Sequence, residues 1–498
     1  MAAILTDKFR VVFAEKFKDA IALKEIPGIA DSNGTPLVPA LPASALAELW
    51  LFFAKATPWT EFNGNPNDAV PNDPIDNQSS NFTIYDQIIG LKQVTSAEMR
   101  SVIRNNKWAS GTVYDIYRHD YGDITNVDNG VKTYVQSNNF EQHLYETNYY
   151  VVTSEYKVYK CLDNNSNGES TSEPTSTSSA PFTLTDGYVW KYMFTVNAND
   201  FEKFKTDEYI PIPEDTAIDP SNVIAPAANY GGSIYNVLID AAGTGYLANT
   251  EYDIVGDGTN GKIRITSTNQ GGGITGIKVV NPGQGYTFGQ INLSTGSNGI
   301  LRPIITGKEG LGQKIGRELG AYRIAMHAKL EKDDFLFGND FRIVGLLYNP
   351  IVSTTSGIAI GTKQLNLVAK LDSDIDGFYD DAKITGTTSG ATGRIVHYET
   401  DGVTVGGLHT IYYTQENQLG YGLKSDGTKP NFVAGEDITL TEGGLGAPES
   451  KTIDSNASTA VKDSELTRGS GEIIYIDNRA TISRAEDQTE DFKIILEF

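Results

Sequence analysis

Apolar residues follow a helical period near the start of the chain and strand-like patterns further along. Within residues 6–25 they lie three or four positions apart and form one stripe of Phe9, Phe13, Phe17, Ala20 and Ile21. This period predicts an amphipathic helix with Thr6 or Asp7 as its N-cap. Because such a stripe usually packs against a core, we expect these side chains to be buried.

Most other apolar runs are short and predict β-strands. Residues 46–59 contain an almost unbroken apolar run, which is typical of a strand buried on both faces. Tyrosine-rich strands are predicted in 148–162 and 187–196, with an exposed, low-complexity loop between them. Helical pieces are predicted near 96–103 and over 311–331.

Two glycine-rich stretches predict inserted all-β domains. Residues 231–306 contain short apolar runs between turns and two copies of a Gly-x-Gly-Tyr element, at Gly243–Tyr246 and Gly283–Tyr286, which are 40 residues apart. Two copies are too few for a solenoid, so we expect a compact β domain. Residues 353–465 have the same glycine-rich, turn-dense character.

The last stretch, 471–498, predicts two strands separated by a polar turn. Since free termini fray, a strand at the end of the sequence has to be paired in a sheet, and we expect its partners to come from much earlier segments. The predicted fold class is α+β and β-rich, with a discontinuous α/β sandwich core and two inserted glycine-rich all-β domains. The predicted core comprises residues 1–225, 311–352 and 466–498, and the insertions comprise 226–310 and 353–465.

The net charge limits the classes of partner, and the cysteine content and targeting patterns limit the compartment. The formal charge of the 498-residue chain is −23 at pH 7, and such a field repels nucleic acid and anionic membranes, so we expect neither as a partner. The single cysteine, Cys161, excludes an internal disulfide and a cysteine zinc site. The sequence shows no signal-peptide pattern and no apolar run of transmembrane length. We expect the chain to fold in a reducing cytoplasm.

Three polar loops match ligand-binding loops only in part. Asp372–Gly377 and Asp163–Gly168 begin like calcium loops, but the twelfth position, which requires a glutamate, is Lys383 in one and Pro174 in the other. Gly256–Gly261 has the glycine spacing of a nucleotide loop without a following helix to face a phosphate. We therefore interpret all three loops as turns and predict no metal or cofactor.

The five histidines are scattered along the chain and lack the spacing of a helical metal site. His119 is the best catalytic candidate because Asp115 and Asp120 are close to it in the sequence. No nucleophile motif accompanies it. The aromatic residues of 187–196 could stack on sugars, but their alternation favours packing. We predict no catalytic residues and expect the protein not to be an enzyme.

Several of these segments, taken in order, resemble one family. The chain resembles the baseplate wedge subunit of T-even-type contractile-tail phages, the product of the eighth tail-baseplate gene. The segments that carry the resemblance are Thr6–Arg10, 49–59, Lys107-Trp108, 158–164, 187–194, 208–213, 341–350 and 471–498. The strongest are GYVWKYMF (187–194) and the terminal stretch. Residues 231–306 and most of 353–465 do not match, although SGATGRIV (389–396) is similar to glycine-rich modules of phage tail proteins.

The resemblance implies a structural role in the virion. Members of the family are non-enzymatic homodimers that lie in the wedges around the baseplate hub, contact other wedge proteins and move when the tail contracts. By this resemblance the chain is assembled in the host cytoplasm into the tail baseplate, and no site residues are carried over. Trp59 and Trp108, if exposed, would be anchors, and the loops 63–80 and 163–181 could order against neighbouring chains.

Two other functions remain open at this point. The inserted β domains could make the chain a carbohydrate- or receptor-binding tail protein. A hydrolase acting on a cell-wall or capsule polymer is the other alternative, with His119 and nearby carboxylates as its catalytic groups.

Overall fold

The fold is taken from a computed structural model of the chain. The structure describes residues 4–22, 29–30, 36–38, 47–59, 70–128, 131–213, 231–307, 311–312, 314–330, 339–351, 367–372, 378–379, 382–399, 409–415, 430–440, 450–456, 460–462, 464, 466–467, 469–483 and 489–498. The chain forms two compact units. The first comprises Met1–Lys18, Met99–Met326 and Ile494–Phe498, and the second comprises Asp19–Glu98 and His327–Lys493.

Strands dominate the described residues. The α-helices there are α1 (Asp7–Ala22), α2 (Gln78–Gln87), α3 (Ala198–Phe204) and α4 (Ile315–Leu319). The earlier strands are β1 (Ile29–Ala30), β2 (Pro36–Val38), β3 (Leu49–Ala54), β4 (Ile88–Val94), β5 (Met99–Arg104), β6 (Ile124–Asp128), β7 (Val131–Tyr134), β8 (Tyr150–Val152), β9 (Lys157–Asp163), β10 (Phe182–Thr183), β11 (Val189–Thr195) and β12 (Tyr209–Pro211). The later strands are β13 (Ile234–Thr244), β14 (Glu251–Gly256), β15 (Thr259–Thr268), β16 (Ile274–Gln284), β17 (Gly289–Ile291), β18 (Ser297–Ile305), β19 (Arg323–Leu330), β20 (Phe341–Tyr348), β21 (Leu367–Leu371), β22 (Lys383–Gly386), β23 (Thr392–Glu399), β24 (His409–Thr414), β25 (Asp437–Leu440), β26 (Ser450–Thr452), β27 (Val461–Lys462), β28 (Glu472–Ile482) and β29 (Glu490–Glu497).

Two four-stranded sheets contribute strands to the first unit, which includes β19 up to Met326 and β29 from Ile494. Their strand orders are β10-β11-β9-β8 and β12-β5-β19-β29. The second sheet joins distant segments, because β5 pairs with β19, with Met99 opposite Met326, and β29 lies beside β19. Large aromatic side chains of β9 and β11, including Tyr159 and Trp190, are fully buried. The prediction that aromatic residues of 187–196 serve packing is confirmed.

The glycine-rich segment of the first unit consists of β13–β18, and its two Gly-x-Gly-Tyr copies exchange equivalent contacts. The amide of Tyr246 donates to the carbonyl of Gly272, and the amide of Tyr286 donates to that of Gly232. The Tyr246 hydroxyl accepts a hydrogen bond from the amide of Gly299, and the Tyr286 hydroxyl accepts one from the amide of Gly261, both at 3.0 Å. The paired glycines share left-handed backbone angles, with φ of 60° at both first positions. This reciprocity gives the module approximate two-fold symmetry around a common core.

The second unit contains a four-stranded sheet of order β28-β20-β3-β4 and a seven-stranded sheet of order β26-β25-β22-β23-β24-β21-β27. β3 is buried along its whole length, as its unbroken apolar run predicts. In the larger sheet the turn after β22 is held by the buried carboxylate of Glu436, which accepts hydrogen bonds from the amides of Thr388 and Ser389 and from the Ser389 hydroxyl. The SGATGRIV segment therefore forms a buttressed turn and the start of β23.

The predicted β-rich α+β fold class is confirmed, and the terminal stretch forms β28 and β29 as expected. The predicted domain limits stay a prediction; β13–β18 lie within 226–310 and β21–β27 lie within 353–465.

Two helix predictions are wrong in part. Near 96–103 only Ser96–Glu98 is helical, as a 3₁₀ turn, because the following residues pair as β5 with strands on both sides. Over 311–331 the helix ends after Leu319, where Gly320 adopts a left-handed φ of 69°, and β19 follows.

Candidate functional site

A cleft of about 800 Å³ opens in the first unit. Its walls come from the first turns of α1, the segment between β5 and β6, β9, the glycine-rich module and α4. The described residues that line it are Thr6, Asp7, Lys8, Val11, Val12, Tyr117, Arg118, His119, Tyr121, Gln142, His143, Leu144, Tyr145, Lys160, Tyr286, Thr287, Ile305, Thr306, Gly307, Arg317 and Glu318. Its size is that of a pocket for a small ligand or a few residues of a peptide.

Charged side chains of the cleft are paired with carboxylates in and beside it. The described lining includes four basic side chains and two acidic ones, and two of the basic ones, Arg118 and Arg317, form ion pairs with Asp120 at 2.8 Å and with Glu15 at 2.9 Å. The basic residues are Lys8, Arg118, Lys160 and Arg317, and the acidic residues are Asp7 and Glu318. With Asp120 and Glu15 counted, four acidic side chains lie beside these four basic ones.

Two buried lysines face one carboxylate at the base of the cleft. Lys160 of β9 and Lys191 of β11 are directly opposite in the sheet register, and both are almost completely inaccessible to solvent. Lys160 Nζ lies 3.5 Å from Glu318 Oε2 and 3.9 Å from the centre of the Tyr117 ring. Glu318 Oε1 accepts a hydrogen bond of 2.7 Å from the amide of Gly312. Lys191 Nζ donates to the carbonyl of Tyr192 at 2.6 Å, so each lysine has a polar partner within the fold.

Burial dominates the ionisation of these three groups. Burial lowers the pKa of Lys160, and it lowers the pKa of Lys191 to about 8, in both cases against the attraction of Glu318. Burial also raises the pKa of Glu318, although Lys160 opposes that shift. The sequence signal for this pair is a lysine in the middle of each of two largely apolar strands, where a charged side chain is rarely found without a partner.

His119, the catalytic candidate, has a structural hydrogen bond. Its Nδ1 accepts from the amide of Ile305 at 3.2 Å, and burial lowers the pKa of the imidazole. His143 also lines the cleft, 3.6 Å from Asp7. The other histidines belong to the second unit, where His327 lies 3.2 Å from Asp491. Those other histidines are His327, His397 and His409.

The carboxylates near His119 in the sequence are likewise bound within the fold. Asp120 forms ion pairs with Arg118 at 2.8 Å and with Arg302 at 3.1 Å. Burial raises the pKa of Asp120, but these arginines more than offset that effect and lower it overall. Asp115 accepts hydrogen bonds of 2.8 and 3.1 Å from two backbone amides. These contacts hold the loop around the cleft together.

The aromatic stripe of α1 is not buried as predicted. Phe9 and Phe13 are 52% and 54% exposed, whereas Val11 and Ala14, on another face of the helix, are buried. The helix therefore packs through small apolar side chains, and of the predicted stripe only Ile21 is buried. The exposed surface, here named the α1 apolar face, consists of Ile4, Leu5, Phe9, Val12 and Phe13.

The two tryptophans proposed as exposed anchors are held within the fold. Trp59 is buried and donates from Nε1 to the carbonyl of Arg479 at 2.8 Å. Trp108 is half-buried and donates to the Ser170 hydroxyl at 3.1 Å. The prediction of an exposed anchor is therefore wrong for Trp59, and for the half-buried Trp108 it stays a prediction. The loop predicted over 63–80 ends at Asn77, which caps α2, and residues 60–69 lie outside the described part.

Two of the three polar loops form turns, and most of the third is not described. In Asp163–Gly168 three successive residues have left-handed backbone angles, and Asp163 Oδ1 accepts from the amide of Asn165 at 2.9 Å, which is the expected Asx turn. Gly256–Gly261 spans the turn between β14 and β15, so it has no helix after it. Most of Asp372–Gly377 lies outside the described residues.

Comparison with known proteins gives no family assignment. No protein-family model matches the chain, and no curated protein matches it. Within the part of the chain that the structure describes, no helix combines the length and apolar character needed to cross a lipid bilayer. In the same residues there is no group of three or more His, Cys, Asp or Glu side chains that could hold a metal ion.

Proposed function

We propose that the protein is a structural subunit of the baseplate wedge of a contractile-tail phage. In this role it forms a homodimer, holds other wedge proteins through protein–protein contacts and moves with the baseplate on contraction. It does no chemistry. Its place is the virion, after assembly in the host cytoplasm.

The assignment to a baseplate rests on the resemblance of the sequence, and the resembling segments are core elements of the fold. GYVWKYMF supplies β11, with Trp190 and Phe194 fully buried. The terminal stretch supplies β28 and β29, each of which lies at the edge of a four-stranded sheet. Likeness in buried strands concerns the architecture, and it supports the shared fold that the proposal requires.

The observation that carries the interaction role is the α1 apolar face. Its residues are large, apolar and exposed; Phe9, Val12 and Phe13 lie on α1, and Ile4 and Leu5 lie just before its first turn. Contiguous exposed apolar surface of this kind marks protein–protein contact sites. The ring of Phe498 lies 5.9 Å from that of Phe13, which places the last strand beside this surface.

The groups that a hydrolase would use are engaged in structural contacts. His119 accepts from a backbone amide, Asp120 binds two arginines, and Asp115 accepts from two backbone amides. A general base must reach the proton of its substrate. The arrangement favours a structural role over the hydrolase alternative.

Light scattering on the purified full chain tests the dimer. We expect a mass twice that of one chain at micromolar concentration and expect Phe9→Ser combined with Phe13→Ser to give the monomer mass. Phe288→Ser is the matched control, because Phe288 is 62% exposed in the glycine-rich module. A wild-type monomer, or a double variant that remains dimeric, would contradict the proposed role of the α1 apolar face.

A further inference from the structure

We propose that the cleft of the first unit has an acid-sensitive wall, in which protonation of His119 releases the end of β18. The contact responsible, here named the His119 latch, joins the His119 side chain, between β5 and β6, to the amide of Ile305, the last residue of β18. The inference concerns a single chain and goes beyond the proposed function, since it does not depend on a virion or a dimer.

The geometry of the latch fixes the protonation state of His119. A backbone N–H can only donate, so Nδ1 of His119, 3.2 Å from the amide nitrogen of Ile305, is an unprotonated acceptor. In the imidazolium both ring nitrogens carry protons, so no orientation of the ring offers Ile305 an acceptor. His119 is exposed and lines the cleft, so protons reach it from solvent. Protonation of His119 and the closed latch therefore exclude each other.

The position of Ile305 makes the loss of this hydrogen bond consequential. Ile305 is buried and lies opposite Ile234 in the register of β18 with β13. A buried amide without an acceptor is unfavourable, so the strand end has to move until water reaches the amide. Ile305 and the next two residues, 306–307, line the cleft together with His119. The movement therefore changes the cleft wall itself.

The surroundings of His119 keep its imidazole neutral at neutral pH. Desolvation where the ring meets the cleft wall is the largest influence, and it lowers the pKa of His119 below the ordinary 6.5. Asp120 and Asp123 of the same segment act against this shift. Arg118 of that segment and Arg302 of β18 lower the pKa further. The other described side chains of the cleft that carry charge or titrate near neutral pH are Asp7, Lys8, His143, Lys160, Arg317 and Glu318.

A second contact at the same strand withstands mild acid. Arg302 of β18 forms an ion pair with Asp120 at 3.1 Å, and Arg118 holds the same carboxylate at 2.8 Å. Burial raises the pKa of Asp120, but the two arginines more than offset that effect and lower it below its ordinary value. This ion pair therefore persists at the pH at which His119 takes up a proton. Mild acid frees the end of β18 and leaves the rest of the strand attached.

NMR spectroscopy of the full chain tests the latch from both of its sides. The protein is labelled on histidine and isoleucine, and spectra are recorded between about pH 5 and 8, where histidines titrate. His119→Gln assigns the His119 signals, and its side-chain amide oxygen can accept from Ile305 at every pH. His143→Gln is the matched control, because His143 also lines the cleft, with its side chain 58% exposed and near Asp7.

We expect the nitrogen chemical shifts of His119 at neutral pH to show an unprotonated Nδ1. The amide signal of Ile305 should shift, and its exchange with solvent should accelerate, through the same midpoint as the His119 titration. Below that midpoint the ratio of the open to the closed latch should rise about tenfold for each pH unit. His119→Gln should hold the Ile305 signal constant over this range, and His143→Gln should retain the transition.

Two results would overturn the proposal. One is an Ile305 amide signal that does not follow the titration of His119, and the other is the same transition in His119→Gln, because another group would then cause it. If His119→Gln does not fold, replacing the other four histidines in turn assigns the His119 signals, and the wild-type titration alone decides. A proton on Nδ1 at neutral pH would contradict the latch directly.

Discussion

Arg10 of α1 donates from Nη2 to Oε1 of Glu497 at 2.6 Å, across 487 positions of the sequence. The other oxygen of Glu497 accepts from Arg323 at 2.9 Å, and the carbonyl of Phe498 accepts from Arg10 Nε. One carboxylate thus joins the first helix, β19 and the last strand. This joint holds the α1 apolar face in position beside Phe498.

The contacts of Glu497 with Arg10 and Arg323 predict that the protein loses stability in acid. Burial raises the pKa of Glu497, but hydrogen bonds from Arg10 and Arg323 outweigh it and lower the pKa below the usual 4.5. A lowered folded-state pKa adds stability above the unfolded value, and this is lost as pH falls through the folded value. Because Glu497 is 48% exposed, we expect Glu497→Gln to reduce the free energy of unfolding by no more than about 1 kcal/mol.

Urea unfolding at several pH values measures this effect. The difference between wild type and Glu497→Gln should be largest near neutral pH and should shrink below about pH 4. A difference that is constant with pH would show that the loss comes from packing.

Burial of Lys191 predicts that the free energy of unfolding rises with pH in alkaline solution. Since the pKa of Lys191 is lowered to about 8, the unfolded chain binds more protons than the folded chain above that pH. The wild type should therefore gain roughly 2–3 kcal/mol of stability between about pH 8 and 10. Lys191→Met should abolish most of that gain. Equal alkaline slopes in the variant and the wild type would show that folding does not lower the pKa of Lys191.

The hydrogen bonds of Tyr246 and Tyr286 in the glycine-rich module predict a loss of stability when either hydroxyl is removed. Tyr246→Phe removes the acceptor of the Gly299 amide, and Tyr286→Phe removes that of the Gly261 amide. A buried amide without a partner costs about 1–3 kcal/mol. Tyr286→Phe should cost more, because its hydroxyl also donates to the carbonyl of Ile254. Thermal unfolding followed by circular dichroism measures both, and a neutral effect in either variant would contradict the described contacts.

The hydrogen bonds of the buried Glu436 carboxylate to the turn after β22 predict that removing this carboxylate strongly lowers the free energy of unfolding. Glu436→Ala leaves the amides of Thr388 and Ser389 without their acceptor, so it should lower the free energy of unfolding by about 3 kcal/mol. Asp437→Ala is the control: Asp437 is exposed, and we expect less than about 1 kcal/mol. Similar losses in the two variants would mean that the turn does not depend on Glu436.

The sequence predicts an element well where the element's own apolar pattern or flanking turns define it. β3 follows from its unbroken apolar run, and the strands of the glycine-rich module follow from their turns. The orientation of α1 does not follow, because a helix with apolar residues on two faces can dock by either, and it docks through Val11 and Ala14. β5 could not be distinguished from a helix because its strand character comes from partners far along the chain.

The candidate site was harder to foresee than the fold. Lys160 and Lys191 occur in predicted strands, but their direct pairing depends on the register between β9 and β11. The sequence neighbours of His119, Asp115 and Asp120, suggest catalysis, but in the structure they bind arginines and backbone amides. Proximity in sequence is a weak guide wherever loops fold back on themselves.

An electron cryomicroscopy map of intact contractile tails, from a phage whose genome encodes this chain, tests the central claim most directly. We expect density for a dimer of the chain in the baseplate wedges, and we expect other protein to cover the α1 apolar face. Tails that lack the chain, or a wedge in which Phe9 and Phe13 face solvent, would contradict it.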